Sequence, residues 1–167
     1  MDTPHLIVLV DAEEAFDWRK PFSRQSTCVD HFRHIERVQN VLDDAGIRPA
    51  YLCNYPVISD AFAADRLRGF SDDGRAEIGT HLHPWVTPPD IEEVSNRNSF
   101  LGNLPLTLQH QKLDMMQRTH ERVFGVQPRM FMAGRYGLGA DTLGLLTQNG
   151  FLVDVSIAAS MDFATDG

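Results

Sequence analysis

Hydrophobic positions alternate along the chain between short runs rich in Ile and Val and longer stretches with a helical period. The short runs predict five strands, over residues 5–11, 48–53, 76–82, 129–133 and 151–156. The first of them, HLIVLVD, is almost continuously apolar. A run of this kind is typical of a strand that is buried on both faces, as in a parallel sheet.

Between these strands, apolar residues recur at steps of three or four and predict helices. The helices are expected over residues 30–45, 57–70, 106–124 and 140–148. Asp30 stands at the N-cap position of the first helix, while Gly46 and Gly125 follow the first and third helices as terminating residues. Residues 83–105 show no period and include Pro84, Pro88, Pro89 and Pro105. A loop of this length inside a compact domain is usually functional.

Strands that alternate with helices predict an α/β fold with a parallel sheet and right-handed crossovers. Asp11, His81 and the Gly134-Arg135 pair all fall at the carboxyl ends of predicted strands, which is the active-site edge of α/β barrels. An open doubly wound sheet usually has a glycine-rich phosphate loop after its first strand, and Asp-Ala-Glu-Glu stands there instead. The sequence therefore predicts an incomplete parallel (β/α) barrel of about five units, in a single domain over residues 1–167.

The net charge limits the partners that the chain can have, and the cysteine content bears on its cellular location. Fifteen Lys and Arg residues stand against 23 Asp and Glu residues, and the net charge of −8 argues against nucleic acid and anionic membranes as partners. The apolar run at residues 6–10 is too short to span a bilayer and does not follow the pattern of a secretory signal. Cys28 and Cys53 match no metal-binding spacing, so we expect free thiols in a cytoplasmic protein.

Three carboxylates, Asp11, Glu13 and Glu14, lie within four residues at the end of the first predicted strand. They would repel one another unless a cation lay among them, and carboxylate oxygen suits a divalent metal ion. The alternative interpretation is the acidic start of a helix, where the helix dipole favours negative charge.

A histidine pair, His81 and His83, follows at the end of the third predicted strand. Side chains at i and i+2 of an extended chain face the same way, so the two imidazoles are expected to converge. Two imidazoles with a carboxylate form the ligand set of a catalytic zinc-type site that keeps one position open for water. The other histidines, His5, His31, His34, His110 and His120, are interpreted as solvated or packing residues.

The segment FMAGRYGLG, at residues 131–139, has three glycines in six residues, which allow close backbone approach. Arg135 is expected either to hold a catalytic carboxylate or an anionic substrate group, or to be a surface arginine in an ordinary turn. Trp85, Asn103 and Tyr136 are candidate substrate-facing residues, and the aromatic faces among them suit sugar rings.

Four segments of the chain resemble the polysaccharide deacetylase superfamily, the NodB-homology domains of carbohydrate esterase family 4, and more narrowly its cytoplasmic WalW-like branch. They are LVDAEEAFDW (9–18), AEIGTHLHPWVTPP (76–89), GNLPLTLQHQKL (102–113) and FMAGRYGLG (131–139), in the order of the family. The resemblance implies a distorted (β/α) barrel. It also implies a divalent-metal hydrolase that removes acetyl groups from amino-sugar polymers and related amides.

The resemblance also implies roles for single residues. Asp11 matches the general base, Glu13 is the candidate metal-binding acid with Glu14 in reserve, and His81 matches the first metal histidine. The second histidine of the family would fall where this chain has Trp85, so His83 would have to replace it. Met132 stands where the third motif of the family begins with arginine, and Arg135 is the residue that could compensate.

The last strands of the family carry a histidine that acts as general acid, whereas this chain stops at residues 165–167, shortly after its fifth predicted strand. We expect the C-terminal part of the domain to be absent. An unclosed barrel would expose unpaired strand edges, which a homo-oligomer or a missing partner segment would cover.

The leading functional hypothesis is a deacetylase of acetylated amino sugars or small amides. Its cofactor is expected to be a divalent metal, zinc first and nickel, cobalt or iron as alternatives. A second hypothesis is a weakly active or inactive pseudoenzyme or fragment that binds metal or carbohydrate. A third is an amidohydrolase-type barrel, although the His-x-His pair of that class normally follows the first strand.

Overall fold

The computed structural model describes residues 5–161. Its five strands form one parallel sheet, with β1 at Leu9–Ala12, β2 at Ala50–Cys53, β3 at Glu77–Leu82, β4 at Met130–Ala133 and β5 at Val153–Asp154. The strands are ordered in the sheet as they are in the chain. In this register Asp11 lies opposite Leu52 on β2, and His81 lies opposite Met132 on β4.

Five α-helices accompany the sheet. They are α1 at Ile35–Asp44, α2 at Tyr55–Ser59, α3 at Ala61–Asp72, α4 at Leu106–Phe124 and α5 at Thr142–Gln148. Single 3₁₀ turns lie at Asp30–His34, Pro84–Val86, Arg97–Ser99, Leu101–Asn103 and Gly134–Tyr136. Three of these turns fall in or next to the long loop that connects β3 to α4.

Strand order decides between the two parallel architectures that the sequence allows. Right-handed crossovers place every connection on the same face of a sheet when the order contains no reversal, as in a barrel. A doubly wound sheet reverses its order at a switch point, and no reversal occurs among these five strands. Helices α3 and α4 both contact β3, and the fully buried Tyr51, Leu67, Leu113 and Phe131 form the core between helices and sheet.

The prediction of one helix over residues 57–70 is wrong, because two helices share this stretch. Asp60 has an extended backbone, with ψ of 123°, and its side chain accepts a hydrogen bond of 2.8 Å from the Ala63 amide. An aspartate in this position caps a new helix, and it does so here within an uninterrupted apolar period. Asn54 caps α2 in the same way, by accepting from the Val57 amide.

The first strand also differs from its prediction. β1 begins at Leu9, and Leu6 and Ile7 before it are 80% and 76% exposed, so the expected burial on both faces is wrong. Among residues 5–161, β1 pairs with β2 alone and is an edge of the sheet. A continuous apolar run does not distinguish a central strand from an edge strand.

Other element ends are confirmed or shifted by a few residues. Asp30 begins a 3₁₀ turn and makes no side-chain cap to α1. Gly46 ends α1 with φ of 66°, and Gly125 ends α4 with φ of 74°, as predicted. β5 is shorter than the predicted strand over residues 151–156.

Two further predictions concern cysteines and membranes. Cys28 and Cys53 are both free thiols, the first exposed and the second buried. None of the helices found between residues 5 and 161 has both the length and the apolar composition needed to cross a bilayer. The predicted chain end at residues 165–167 lies outside the described residues.

Candidate metal centre

Three side chains converge at the carboxyl edge of the sheet. Glu13 follows β1, His81 lies near the end of β3, and His83 comes directly after β3. Glu13 Oε2 lies 3.2 Å from His81 Nε2 and 3.3 Å from His83 Nε2, and the two Nε2 atoms are 2.8 Å apart. The convergence follows from parallel strands that end at one edge and from the i, i+2 spacing of the histidines.

This geometry fits a divalent metal ion. All three candidate ligand atoms lie within 4.8 Å of one another. Two ligands of a tetrahedral zinc ion, each about 2.0–2.2 Å from the metal, lie about 3.3–3.6 Å apart. The distances of 3.2 and 3.3 Å from Glu13 to the two histidines are close to that spacing, and the 2.8 Å between the two Nε2 atoms is shorter than it. Two imidazoles and one carboxylate are also the donor set that catalytic zinc sites use, and it leaves one coordination position open.

Burial and the contacts among these groups shift their pKa values in different directions. Burial acts to raise the pKa of Glu13, but hydrogen bonds from His81 and His83 outweigh it and hold this pKa well below its usual range. Burial acts to lower the pKa of His83, but its hydrogen bonds to Glu13 and Glu14 raise it to about 9. Burial and the neighbouring His83 lower the pKa of His81. The positive charge of a protonated His83 is therefore stabilised between the Glu13 and Glu14 carboxylates.

Glu14 faces the opposite side of His83 from Glu13. Its carboxylate oxygens lie 3.0 and 3.1 Å from His83 Nδ1, and its side chain is fully buried. Asn54, directly after β2, donates from Nδ2 to Glu14 Oε2. Sequence reasoning missed Asn54, although the rule that selected the other residues, a polar side chain at a strand end, also applies to it.

Asp11 lies on β1, two residues before Glu13, which follows the end of the strand. The negative charge of Asp11 acts electrostatically on the His81 imidazole. Asp11 is exposed and lines an open cavity of about 580 Å³ together with Met132 and Tyr136. The predicted general base therefore has access to solvent and acts electrostatically on one of the candidate metal ligands.

Arg135 is held by the long loop between β3 and α4. Its Nη1 donates to Asn96 Oδ1 at 2.8 Å and to Ser99 Oγ at 2.6 Å, and the guanidinium lies 3.9 Å from the centre of the Phe100 ring. These contacts fasten the loop to the turn after β4. The role of Arg135 toward a catalytic carboxylate or an anionic substrate group remains a prediction.

Trp85 is 1% exposed and packs against His83, and its contact with substrate stays a prediction. Its indole stacks on the His83 imidazole, with 4.2 Å between ring centroids, and Phe22 and Phe16 cover it at 4.6 and 5.8 Å. The burial is produced by residues more than sixty positions earlier in the chain, so no local pattern around Trp85 indicates it.

The other two candidate substrate residues lie at the surface of the same edge. Tyr136 is 37% exposed and has a positive φ of 58°. Asn103 is half-buried, and its side chain donates to the Arg97 carbonyl at 2.9 Å. Their contact with substrate stays a prediction.

Lys112 on α4 holds the segment that follows His83. Its side chain is fully buried, and Nζ donates to the carbonyls of Pro84, Thr87 and Pro89. Nζ also pairs with Glu92 Oε1 at 3.1 Å. A buried ammonium group with this many oxygen partners fixes the backbone on which they lie.

No family model and no curated protein matches the chain. Solved structures do match. Chitin deacetylase from the fungus Colletotrichum lindemuthianum has 16% identity and a TM-score of 0.59 over 89% of this chain. IcaB from Ammonifex degensii has 16% identity and a TM-score of 0.56 over 92% of this chain. A protein from Mycobacterium smegmatis described as a polysaccharide deacetylase has 20% identity and a TM-score of 0.55 over 72%.

These similarities show that the chain shares the fold of polysaccharide and chitin deacetylases. The parallel sheet and its flanking helices fit an incomplete (β/α) barrel of this type, which confirms the predicted fold class. The chain spans 36% of the Mycobacterium protein, 54% of the chitin deacetylase and 63% of IcaB.

Proposed function

We propose that this chain is a metal-dependent hydrolase that removes acetyl groups from N-acetylated amino sugars or related amides. The observation that supports the proposal most is the convergence of Glu13, His81 and His83 at the carboxyl edge of a sheet with a deacetylase fold. Proteins with the same fold are named as deacetylases, and by analogy this favours the same substrate class for the chain.

Each residue of the centre has a proposed task. Glu13 Oε2 and the Nε2 atoms of His81 and His83 hold the metal, which we propose to be zinc. When bound, zinc supplies a Lewis acid for carbonyl polarisation and water activation. Asp11 accepts the proton of the attacking water, and the cavity beside it admits the acetyl group.

The location and the narrower family assignment are also proposals. Two free thiols agree with the cytoplasmic location that the sequence predicts. The assignment to the WalW-like branch rests on the four sequence segments that resemble the family. The carbohydrate partner rests on the shared fold.

A second candidate is a protein of the same fold that binds metal or carbohydrate without turnover. Met132 favours this second candidate. Its apolar side chain is 6% exposed, and the residue lies opposite His81 in the sheet. The family that the sequence resembles has an arginine beside its catalytic base at this position. Turnover distinguishes the two candidates.

The test is acetate release from N-acetylglucosamine oligomers by zinc-loaded protein, compared with Asp11→Asn. We expect the variant to retain zinc and to lose about 100-fold or more of the rate, since a general base contributes this much. Asp17→Asn is the matched control, because Asp17 belongs to the same segment but forms an ion pair with Arg19. Zinc binding without acetate release in the wild type would favour the second candidate. Equal rates in wild type and Asp11→Asn would refute the role of Asp11.

A further inference from the structure

Glu14 is a fully buried carboxylate that the proposed hydrolysis does not use. A buried charge is unstable without hydrogen-bonding partners. The partners of Glu14 are His83 Nδ1, at 3.0 and 3.1 Å from its two oxygens, and the Asn54 amide. Glu14 is next to Glu13 in the segment after β1, and the two carboxylates contact opposite edges of one imidazole.

Asn54 is itself fixed by the helix that follows it. Its Oδ1 accepts from the Val57 amide at 3.4 Å and caps α2. Because the oxygen is used there, Nδ2 is the atom that faces Glu14, and it donates to Oε2. Asn54 is 0% exposed, so water does not compete for this bond.

These contacts determine which nitrogen carries hydrogen when the His83 ring is neutral. An ionised carboxylate only accepts hydrogen bonds, so Glu14 requires a proton on His83 Nδ1. The lone pair of the neutral ring is then on Nε2, the atom that faces Glu13 and His81. His81 differs, since its buried Nδ1 has no hydrogen-bond partner among residues 5–161.

We propose that Glu14, held by Asn54, is a positioning residue that fixes His83 with Nδ1 protonated and Nε2 free to bind the metal, an inference that rests on the proposed metal centre. A carboxylate behind a metal-binding histidine fixes the ring orientation and raises the basicity of the ligand. Glu13 and Glu14 thus act on the same histidine, one as a ligand beside it and one as its support.

The experiment compares Glu14→Leu, which removes the acceptor at similar volume, with Glu14→Gln, which keeps a carbonyl acceptor without the charge. Gln39→Leu is the control, because Gln39 is also fully buried and accepts from the Tyr51 hydroxyl at 2.9 Å. Zinc affinity is measured by competition with a chelator. The protonated ring nitrogen is identified by nitrogen NMR of metal-free protein at a pH above the raised His83 pKa of about 9, where the ring is neutral.

We expect Glu14→Leu to bind zinc about 10- to 100-fold more weakly than wild type. We expect Glu14→Gln to be intermediate and Gln39→Leu to equal wild type in affinity. His83 should carry its proton on Nδ1 in the wild type and lose that preference in Glu14→Leu.

The proposal is overturned if folded Glu14→Leu keeps both the wild-type affinity and the Nδ1 proton. If Glu14→Leu does not fold, a wild-type affinity in Glu14→Gln overturns it instead. A wild type that binds no zinc refutes the proposed function. In that case the NMR comparison still decides whether Glu14 sets the protonated nitrogen of His83.

Discussion

Side chains of single residues alternate in direction at the end of β1, and this alternation decides which carboxylates face the histidines. Glu13 contacts His83 at Nε2, whereas the neighbouring Glu14 contacts it at Nδ1, on the far side of the ring. The acidic cluster is therefore divided into a proposed base, a proposed ligand and a proposed support. Glu13 is the member of the cluster that groups with His81 and His83 as a candidate metal ligand.

Gly134 allows the turn after β4 to approach His83. A Cβ at this position would lie 2.8 Å from the Leu82 carbonyl oxygen and would overlap sterically with His83 Cδ2. We expect Gly134→Ala to displace the imidazole and to weaken zinc binding about tenfold, since a loss of ligand orientation has effects of this size. Gly144→Ala is the control, because no atom lies within 4 Å of a Cβ built there. Equal zinc affinities of the two variants in a chelator competition would contradict the role of Gly134.

The ligands could be predicted from the sequence because the pattern that places them is local. A strand end and an i, i+2 spacing are enough to bring His81, His83 and Glu13 together. The burial of Trp85 and the contact between Asn54 and Glu14 could not be predicted, since both depend on segments that meet only in the folded chain.

At the scale of elements, α1 is tied to the segment that enters β3. Arg75 donates to Asp43 Oδ2 at 2.9 Å from Nε and at 2.5 Å from Nη2, and Gln39 donates to Asp43 Oδ1 at 2.7 Å. Hydrogen bonds from Arg75 and then from Gln39 lower the pKa of Asp43 in the folded protein. These contacts hold the outer helix against the turn that sets the start of β3.

The lowered pKa of Asp43 makes part of the stability pH-dependent. A carboxyl whose folded pKa lies below its unfolded value of about 3.9 stabilises the fold above that pH, and the contribution is lost as pH falls through the folded pKa. We expect Asp43→Asn to have a lower urea midpoint than wild type at pH 7, and the difference to shrink near pH 2. Asp44→Asn, at the exposed neighbouring position, serves as control. A difference that is the same at both pH values would contradict this account.

Helix boundaries could be predicted from the sequence where the terminating residues and the hydrophobic period indicate the same ends. α4 has its predicted range of residues 106–124, because Pro105 and Gly125 bound a single apolar period. The period across α2 and α3 is just as regular, but the Asp60 side chain caps an amide inside it. Hydrophobic spacing alone does not show such a break, because the break depends on one local hydrogen bond.

At the scale of the whole molecule, apolar side chains are exposed at both edges of the sheet. Leu6 and Ile7 beside β1 are 80% and 76% exposed, and Leu152 and Ile157 beside β5 are 70% and 82% exposed. Apolar residues beside unpaired strand edges favour association with another chain. The homo-oligomer expected from the sequence thus stays a prediction, and these four residues are the candidates for its interface.

Light scattering on the purified chain measures this association directly. We expect a dimer or larger species for the wild type and a shift toward monomer in Ile7→Lys, because a charge at the edge opposes pairing. Val41→Lys on α1, where the side chain is 68% exposed, should leave the mass unchanged. A monomeric wild type at micromolar concentration would contradict the prediction.

The metal content of the purified chain tests the central claim most directly. Elemental analysis would compare wild type with the double variant His81→Ala, His83→Ala, both confirmed as folded by circular dichroism. The convergence of Glu13, His81 and His83 leads us to expect about one equivalent of zinc in the wild type and none in the variant. A folded wild type that binds no divalent metal after incubation with zinc, or a variant that binds as much as the wild type, would contradict the account.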